Sequence, residues 1–214
     1  MIKGNMHEEL KERLRKLENN YNGKEFISIV NKVKKDRNND NELLRQIEII
    51  SRKRFGEKVS LTLGIHAGNI LEIILTIVAT VLAFRVNSDW MLYISALILM
   101  ATLHPLSHYA AGFLSGIRFT HYYLNGPARI EPTLRIDYFS YLKASGGKRA
   151  LMHASGVIGT LAAPLIVSLI ALDKGASGAA DNLFYFFLLL IVFELLTSTK
   201  IGDLMKAKRE YGYR

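Results

Sequence analysis

The chain of 214 residues contains no cysteine, which excludes disulfide bonds, thiolate ligands to zinc and cysteine nucleophiles. It also lacks an apolar stretch at its start, because about the first sixty residues are mostly polar. We therefore expect no secretory signal peptide. The net charge of +9 averages a polar beginning and a largely apolar remainder, so it has little meaning until the charges are mapped along the chain.

Residues 1–60 have the pattern of a small helical region. Leucines recur at helical spacing in HEELKERLRKLE, and Asn and Asp residues able to cap a helix precede the apolar positions of NELLRQIEII. We predict a helical cytosolic N-terminal region with solvated charges. The alternative is a recruitment site for a partner or substrate. The basic run SRKRFGEK, just before the first apolar segment, is a candidate contact for anionic lipid.

Four apolar segments follow, at about residues 65–86, 90–117, 150–172 and 183–198. A helix of about 20 apolar residues crosses the roughly 30 Å hydrocarbon core of a bilayer. The predicted fold class is therefore an all-α membrane protein with about four transmembrane helices, and residues 61–214 form its transmembrane domain.

The distribution of Lys and Arg predicts the orientation of these segments. Fifteen lie in the N-terminal region, six in the 118–149 loop and five in the tail from Lys200 onward. Arg85 and Lys174 are the single basic residues near the other two loops. Because cytosolic loops carry an excess of positive charge, we expect a multi-pass protein of the plasma membrane with both termini in the cytosol. Basic loops can also indicate binding to nucleic acid. Here the membrane topology accounts for their positive charge, so no nucleic-acid partner is predicted.

His104 and His108 lie four residues apart in the second segment, so on a helix they share one face. Two imidazoles at this spacing can bind one zinc ion. The predicted topology brings His153, Asp203 and His66 to a similar depth. Three protein ligands with one open position is the arrangement of a catalytic zinc site. The alternative is a pair of neutral histidines that hydrogen-bond between helices.

Four stretches in order, LHPLSHYAAGFLSGIRF, RFTHYYLNGPARIEP, KRALMHASGVIGTLAAPL and TKIGDLMK, carry a family resemblance. They resemble the motif helix, the strand pair, the following helix and the late Asp motif of the site-2 protease family of intramembrane zinc metalloproteases. The similarity covers about residues 90–210. It implies one bound zinc ion with His104, His108 and Asp203 as ligands, and a small membrane-associated strand pair with a Gly-Pro turn.

The chain departs from the family pattern at the catalytic position, where Pro105 replaces the motif Glu. General base catalysis typically contributes about 10²–10⁴-fold, and proline has no acid or base group. The last motif also lacks the family's usual Asn and Pro residues. Glu194 is a candidate replacement base, about 13 Å along a helix from Asp203. Glu72 is a second candidate, and an interhelical hydrogen bond is the simpler role for both.

Three functions remain open from the sequence. The leading hypothesis is a degenerate peptidase that keeps its metal site and binds transmembrane helices of single-span or multi-span client proteins in the bilayer. The second is an active zinc metalloendopeptidase that uses another base. The third is a metal-free scaffold or transporter whose histidines form hydrogen bonds or relay protons. The pairs Gly64-x-x-x-Gly68 and Gly112-x-x-x-Gly116 permit close helix contact, within the bundle or in a homo-oligomer.

Overall fold

The structure, a computed structural model, describes residues 2–37, 39–125, 131–197 and 202–213. Within these ranges the chain forms helices and one small sheet. The elements in chain order are α1 (Ile2–Asn19), α2 (Gly23–Lys35), α3 (Asn41–Lys58), β1 (Thr62–Gly64), α4 (Ile65–Arg85), α5 (Asp89–Leu114), β2 (Phe119–Asn125), β3 (Glu131–Ile136), α6 (Tyr138–Lys143), α7 (Gly146–Asp173), α8 (Ser177–Thr197) and α9 (Asp203–Tyr211).

The N-terminal region is helical, as the leucine spacing predicts. Two of its helices begin at side-chain caps, because Asn22 Oδ1 accepts from the Lys24 amide at 3.0 Å and Asp40 Oδ1 accepts from the Glu42 amide at 2.9 Å. The helices bury their apolar faces against one another. The fully buried side chains there are Leu10, Leu14, Ile29, Val33, Leu43, Leu44 and Ile47. Most charged side chains of the same helices stay at the surface, and Lys34 of α2 is an exception that is buried.

Among the described residues, four helices are long and apolar enough to cross a membrane: Ile65–Arg85, Asp89–Leu114, Gly146–Asp173 and Ser177–Leu196. Many of their large apolar side chains are exposed, which is compatible with an integral membrane protein.

The bounds of three of these helices differ from the prediction for local reasons. The second ends at Leu114, before 117, because Gly116 adopts a φ of 79°. The third begins at Gly146, before 150, where the Ser145 hydroxyl caps it. The fourth begins at Ser177, before 183. Its first residues, SGAAD, are small or polar, so a search for apolar residues does not detect them.

The predicted strand pair is part of a three-stranded antiparallel sheet in the order β1-β2-β3. Leu63 lies opposite Tyr122, which in turn lies opposite Leu134. The sequence did not predict β1, because three residues directly before a helix are too short to show the alternation of a strand. The predicted Gly-Pro turn between β2 and β3 lies outside the described residues.

The sheet, α6, α9 and the N-terminal region gather at one end of the four apolar helices. Glu48 of α3 joins two of these parts, since it accepts from an Arg135 guanidinium nitrogen at 2.9 Å and from the Tyr138 amide at 2.8 Å. The α9 helix packs against α7. This end of the molecule therefore brings the C-terminal helix close to the histidines of α5.

Candidate metal centre

Three predicted ligands meet where α5, α7 and α9 come together. Asp203 Oδ2 lies 3.3 Å from His104 Nε2 and 3.0 Å from His108 Nε2. The three side chains are 13–24% exposed, so the group is largely withdrawn from solvent but remains reachable. Each offers one ligand atom, and these atoms lie within 4.8 Å of one another. This group can hold a metal ion.

Close contact between α5 and α7 sets the position of the histidine pair. The two imidazoles lie one helical turn apart on α5, with ring centroids 4.7 Å apart. Gly156 of α7 lies directly against the His108 ring, and a Cβ at that position would overlap the imidazole. A Cβ on Gly159 would likewise overlap the Leu103 carbonyl. The absence of side chains at these two glycines lets α5 approach α7.

In each histidine, the hydrogen-bond partner of Nδ1 determines which ring nitrogen carries the proton. Nε2 is the nitrogen that faces Asp203. His108 Nδ1 lies 2.6 Å from the Met152 carbonyl, which can only accept, so Nδ1 carries the proton. His104 Nδ1 lies 2.9 Å from the Thr160 hydroxyl. That hydroxyl donates to the Gly156 carbonyl at 3.2 Å, so its oxygen accepts from His104. In the neutral imidazoles both Nε2 atoms therefore present lone pairs, as metal-binding histidines do.

Asp203 supplies a negative charge to this group. Burial alone would raise its pKa. When an imidazole carries a proton on Nε2, it can donate to Oδ2, and such hydrogen bonds from His104 and His108, together with the Lys206 ammonium, hold the pKa well below its usual range. Lys206 Nζ lies 2.9 Å from Oδ1, which leaves Oδ2 directed at the histidines. The carboxylate is thus ionised and has one oxygen to offer.

Two imidazole nitrogens and a carboxylate oxygen at this separation can share one cation. A tetrahedral zinc ion with ligands at about 2.0–2.1 Å sets neighbouring ligand atoms about 3.3 Å apart. The distances of 3.0 and 3.3 Å from Asp203 to the two histidines agree with that spacing. A proton on one imidazole would also satisfy the charge, but it could bridge only one pair of atoms. The donor set of two nitrogens and one carboxylate oxygen fits zinc.

A cavity of about 160 Å³ lies beside the three side chains. Pro105 and His153 form part of its lining, and residues of β3 face them from the sheet. His153 Nε2 lies 2.9 Å from the Tyr141 hydroxyl, and its ring centroid is 6.4 Å from that of His108. His153 therefore borders the centre without joining the ligand group. His66 is exposed and lies outside the group as well.

The acidic residues that line the cavity include one that the sequence analysis did not suggest. Glu131, at the start of β3, lines the cavity, whereas Glu194 and Glu72 do not. Glu194 still lies within electrostatic range of His104 and Asp203. The sequence pattern does not point to Glu131, because this residue belongs to a strand and only folding of the sheet over α5 brings it to the cavity beside the histidines. Its place in the stretch RIEP, next to the predicted turn, was the only available signal.

Comparison of the chain with known proteins finds no matching protein family, no matching curated protein and no matching solved structure. The resemblance to site-2 proteases therefore stays a prediction from sequence motifs. The site has to be interpreted from its own geometry.

Proposed function

We propose that this chain is a site-2-protease-like integral membrane protein that binds one zinc ion through His104, His108 and Asp203. In this proposal it is a degenerate peptidase that binds transmembrane helices of client proteins. One observation carries the metal site: the Asp203 carboxylate oxygen lies 3.0 Å from the Nε2 atom of His108 and 3.3 Å from that of His104, and the Nδ1 atoms of both histidines have partners elsewhere.

Pro105 supports the loss of peptidase activity. Zinc in such a site would polarise a peptide carbonyl and lower the pKa of a bound water toward about 7. A general base must then lie within hydrogen-bonding reach of that water. Pro105 lines the cavity beside the histidines and has no group to accept a proton. The residue at the expected position of the base can only shape the cavity.

Client binding is supported by the surfaces of the apolar helices. Large apolar side chains are exposed along α4 and α8, including Ile73, Ile77, Leu189 and Phe193. Exposed apolar faces of this extent suit contact with lipid or with another apolar helix. In this proposal a client helix would reach the cavity from the bilayer, and no peptide bond would be cut.

An active metallopeptidase is the second candidate, and the position of Glu131 is the observation that favours it. Its carboxylate is the acidic side chain, apart from Asp203, among the described residues that line the cavity. A base at this position would leave cleavage sensitive to Glu131→Gln and insensitive to Glu194→Gln. If the opposite held, Glu194 would be the better candidate.

The first test is the metal content of the purified full-length protein. We expect about one equivalent of zinc in the wild type and its loss in each of His104→Ala, His108→Ala and Asp203→Ala. His66→Ala is the matched control, because this exposed histidine lies outside the ligand group and its loss should leave the metal content unchanged. Absence of metal from the wild type would instead favour the metal-free scaffold.

The second test separates the degenerate peptidase from the active one. The substrate is a reporter with one apolar helix of about 20 residues and a tag at each end. We expect no cleavage by the wild type and a gain of cleavage in Pro105→Glu, which restores the missing base. Efficient cleavage by the wild type, lost in Glu131→Gln, would replace the leading proposal with the second.

A further inference from the structure

A buried charge network joins three distant parts of the chain. The Glu210 carboxylate of α9 is fully buried, and it accepts from Lys34 Nζ of α2 at 2.5 Å and from Arg149 Nε of α7 at 2.7 Å. The side chains of Lys34 and Arg149 are only 5% and 3% exposed. Lys34 and Glu210 are 176 residues apart in sequence. The network therefore fastens the N-terminal region to the helix that begins with Asp203.

Tyr141 connects this network to the wall of the metal cavity. The Lys34 ammonium lies 5.0 Å from the centroid of the Tyr141 ring, and the Arg149 guanidinium lies 5.5 Å from it. The Tyr141 hydroxyl contacts His153, which lines the cavity. The charged groups are thus linked to the cavity through two successive contacts, first with Tyr141 and then with His153.

Burial affects the two ends of the Lys34–Glu210 pair differently. It lowers the pKa of Lys34 despite the carboxylate beside it. Burial alone would raise the pKa of Glu210, but Lys34 and Arg149 outweigh it and hold the pKa below its usual value. Removing one partner of a buried ion pair leaves the other charge without compensation in a poorly solvated place. Such a network constrains geometry more than it adds net stability, because the desolvation cost offsets much of the attraction.

Because α9 is short, holding Glu210 in place also restricts the position of Asp203 in the proposed metal site. Asp203 is the first residue of the helix and Glu210 lies seven residues later, which is about 10 Å at 1.5 Å per residue. A helix of two turns moves as a rigid unit on this scale. Where Glu210 is held, the position of the Asp203 carboxylate is held too.

We propose that Lys34 and Glu210 are positioning residues, through which the N-terminal region holds α9 where Asp203 reaches the histidine pair. The proposal rests on the metal centre proposed above and adds its regulation. A partner that binds the N-terminal region and shifts α2 would release Glu210, let Asp203 move away and weaken metal binding. The polar N-terminal region thereby becomes a control element for the site between the apolar helices.

The test compares two neighbouring lysines of α2 in the full-length protein. Lys34→Met removes the buried ammonium and keeps the length of the side chain, while Lys35→Met makes the same change at an exposed position. We expect the zinc dissociation constant to rise about tenfold in Lys34→Met, as for loss of an outer-shell partner, and to stay unchanged in Lys35→Met. Lys34→Arg should restore most of the affinity. A lower thermal stability with unchanged zinc affinity would mean a purely structural network and overturn the proposal.

A second readout reports the docking of α9 without any metal. Since the chain has no cysteine, Ala207→Cys places a single thiol on the buried side of α9. Its reaction with a maleimide should be about tenfold faster when Lys34→Met is added and unchanged when Lys35→Met is added, because slow labelling requires α9 to stay docked.

The two readouts separate failure of this inference from failure of the metal site. If the wild type binds zinc and both lysine variants match it in affinity and labelling, the positioning role is overturned and the metal centre stands. If the wild type binds no zinc, the proposed function fails. The labelling rates then decide whether Lys34 of α2 holds α9 in place. Faster labelling confined to Lys34→Met then supports the link between α2 and α9, and equal rates overturn it.

Discussion

At the scale of single residues, the hydrogen-bond partners of His104 and His108 set the tautomer and the orientation of each ring. A hydrogen bond at Nδ1 selects the tautomer whose Nε2 can bind a metal and holds the ring in orientation. Met152 does this for His108 with its backbone carbonyl, which no substitution removes. Thr160 does it for His104 with its hydroxyl, which a substitution can remove.

Thr160→Val therefore tests the orientation of His104. The valine keeps the shape of threonine and removes the acceptor for Nδ1–H, so we expect zinc affinity to fall about tenfold with the fold retained. An isotherm of zinc binding in competition with a chelator measures it. Thr80→Val is the control, because Thr80 makes the same hydrogen bond to the carbonyl four residues earlier on α4, away from the site. Equal affinities in both variants would contradict the role of Thr160.

At the scale of elements, the crossing of α5 and α7 builds the site. Gly156 admits the His108 ring and Gly159 admits the α5 backbone at Leu103. Such small residues let two apolar helices approach closely, and dispersion contacts and hydrogen bonds then hold them together. The resulting distance between the helices puts the Nδ1 partners on α7 within reach of both imidazoles.

Gly159→Ala should separate the two helices. The added methyl group would overlap the Leu103 carbonyl, which belongs to the α5 backbone and cannot turn away, so we expect a loss of about 1–3 kcal/mol in the free energy of unfolding. Unfolding in mixed micelles measures it. Gly147→Ala is the control on the same helix, because no heavy atom lies within 4 Å of the added methyl group. If both variants were equally stable, the close approach would not limit stability.

At the scale of the whole molecule, the parts that carry chemistry gather at one end. The N-terminal region, the sheet, α6 and α9 all lie where α5 ends and α7 begins. The short connections at the other end hold few charges, and Lys174 there donates to the Ala83 and Val86 carbonyls at 3.0 and 2.6 Å. This separation of charge agrees with the orientation predicted from the positive-inside rule, in which the end with the N-terminal region faces the cytosol.

The proposed orientation is testable with single cysteines. Lys148→Cys places an exposed thiol at the expected cytosolic end, and Asn87→Cys places one at the opposite end. A membrane-impermeant maleimide applied to intact cells should label the second variant and spare the first. Both should react once the membrane is permeabilised. The reverse pattern in intact cells would invert the topology and contradict the charge argument.

Much of the fold follows from local patterns. The apolar segments predicted the four long helices, and the leucine spacing predicted the helices of the N-terminal region. The ends of helices were less predictable, because the αL turn at Gly116 and the small residues before Leu183 carry little hydropathy. The third strand, β1, is defined only by its pairing with β2, and a pairing partner is not visible in three residues.

The sequence by itself determined the composition of the site: two histidines one helical turn apart, a proline where a base would stand, and an aspartate on the same predicted side of the membrane. The shared face of the histidines and the side of the membrane need only helical periodicity and charge counting, which act over a few residues. The missing base at Pro105 and the ligand role of Asp203 are what the family resemblance implies. Tertiary structure alone decided the rest. It placed Thr160 and Met152 behind the histidines, Glu131 in the cavity and Lys34 against Glu210. Those contacts join residues that are far apart in sequence, and they form only when packing of the helices and the sheet brings their side chains together.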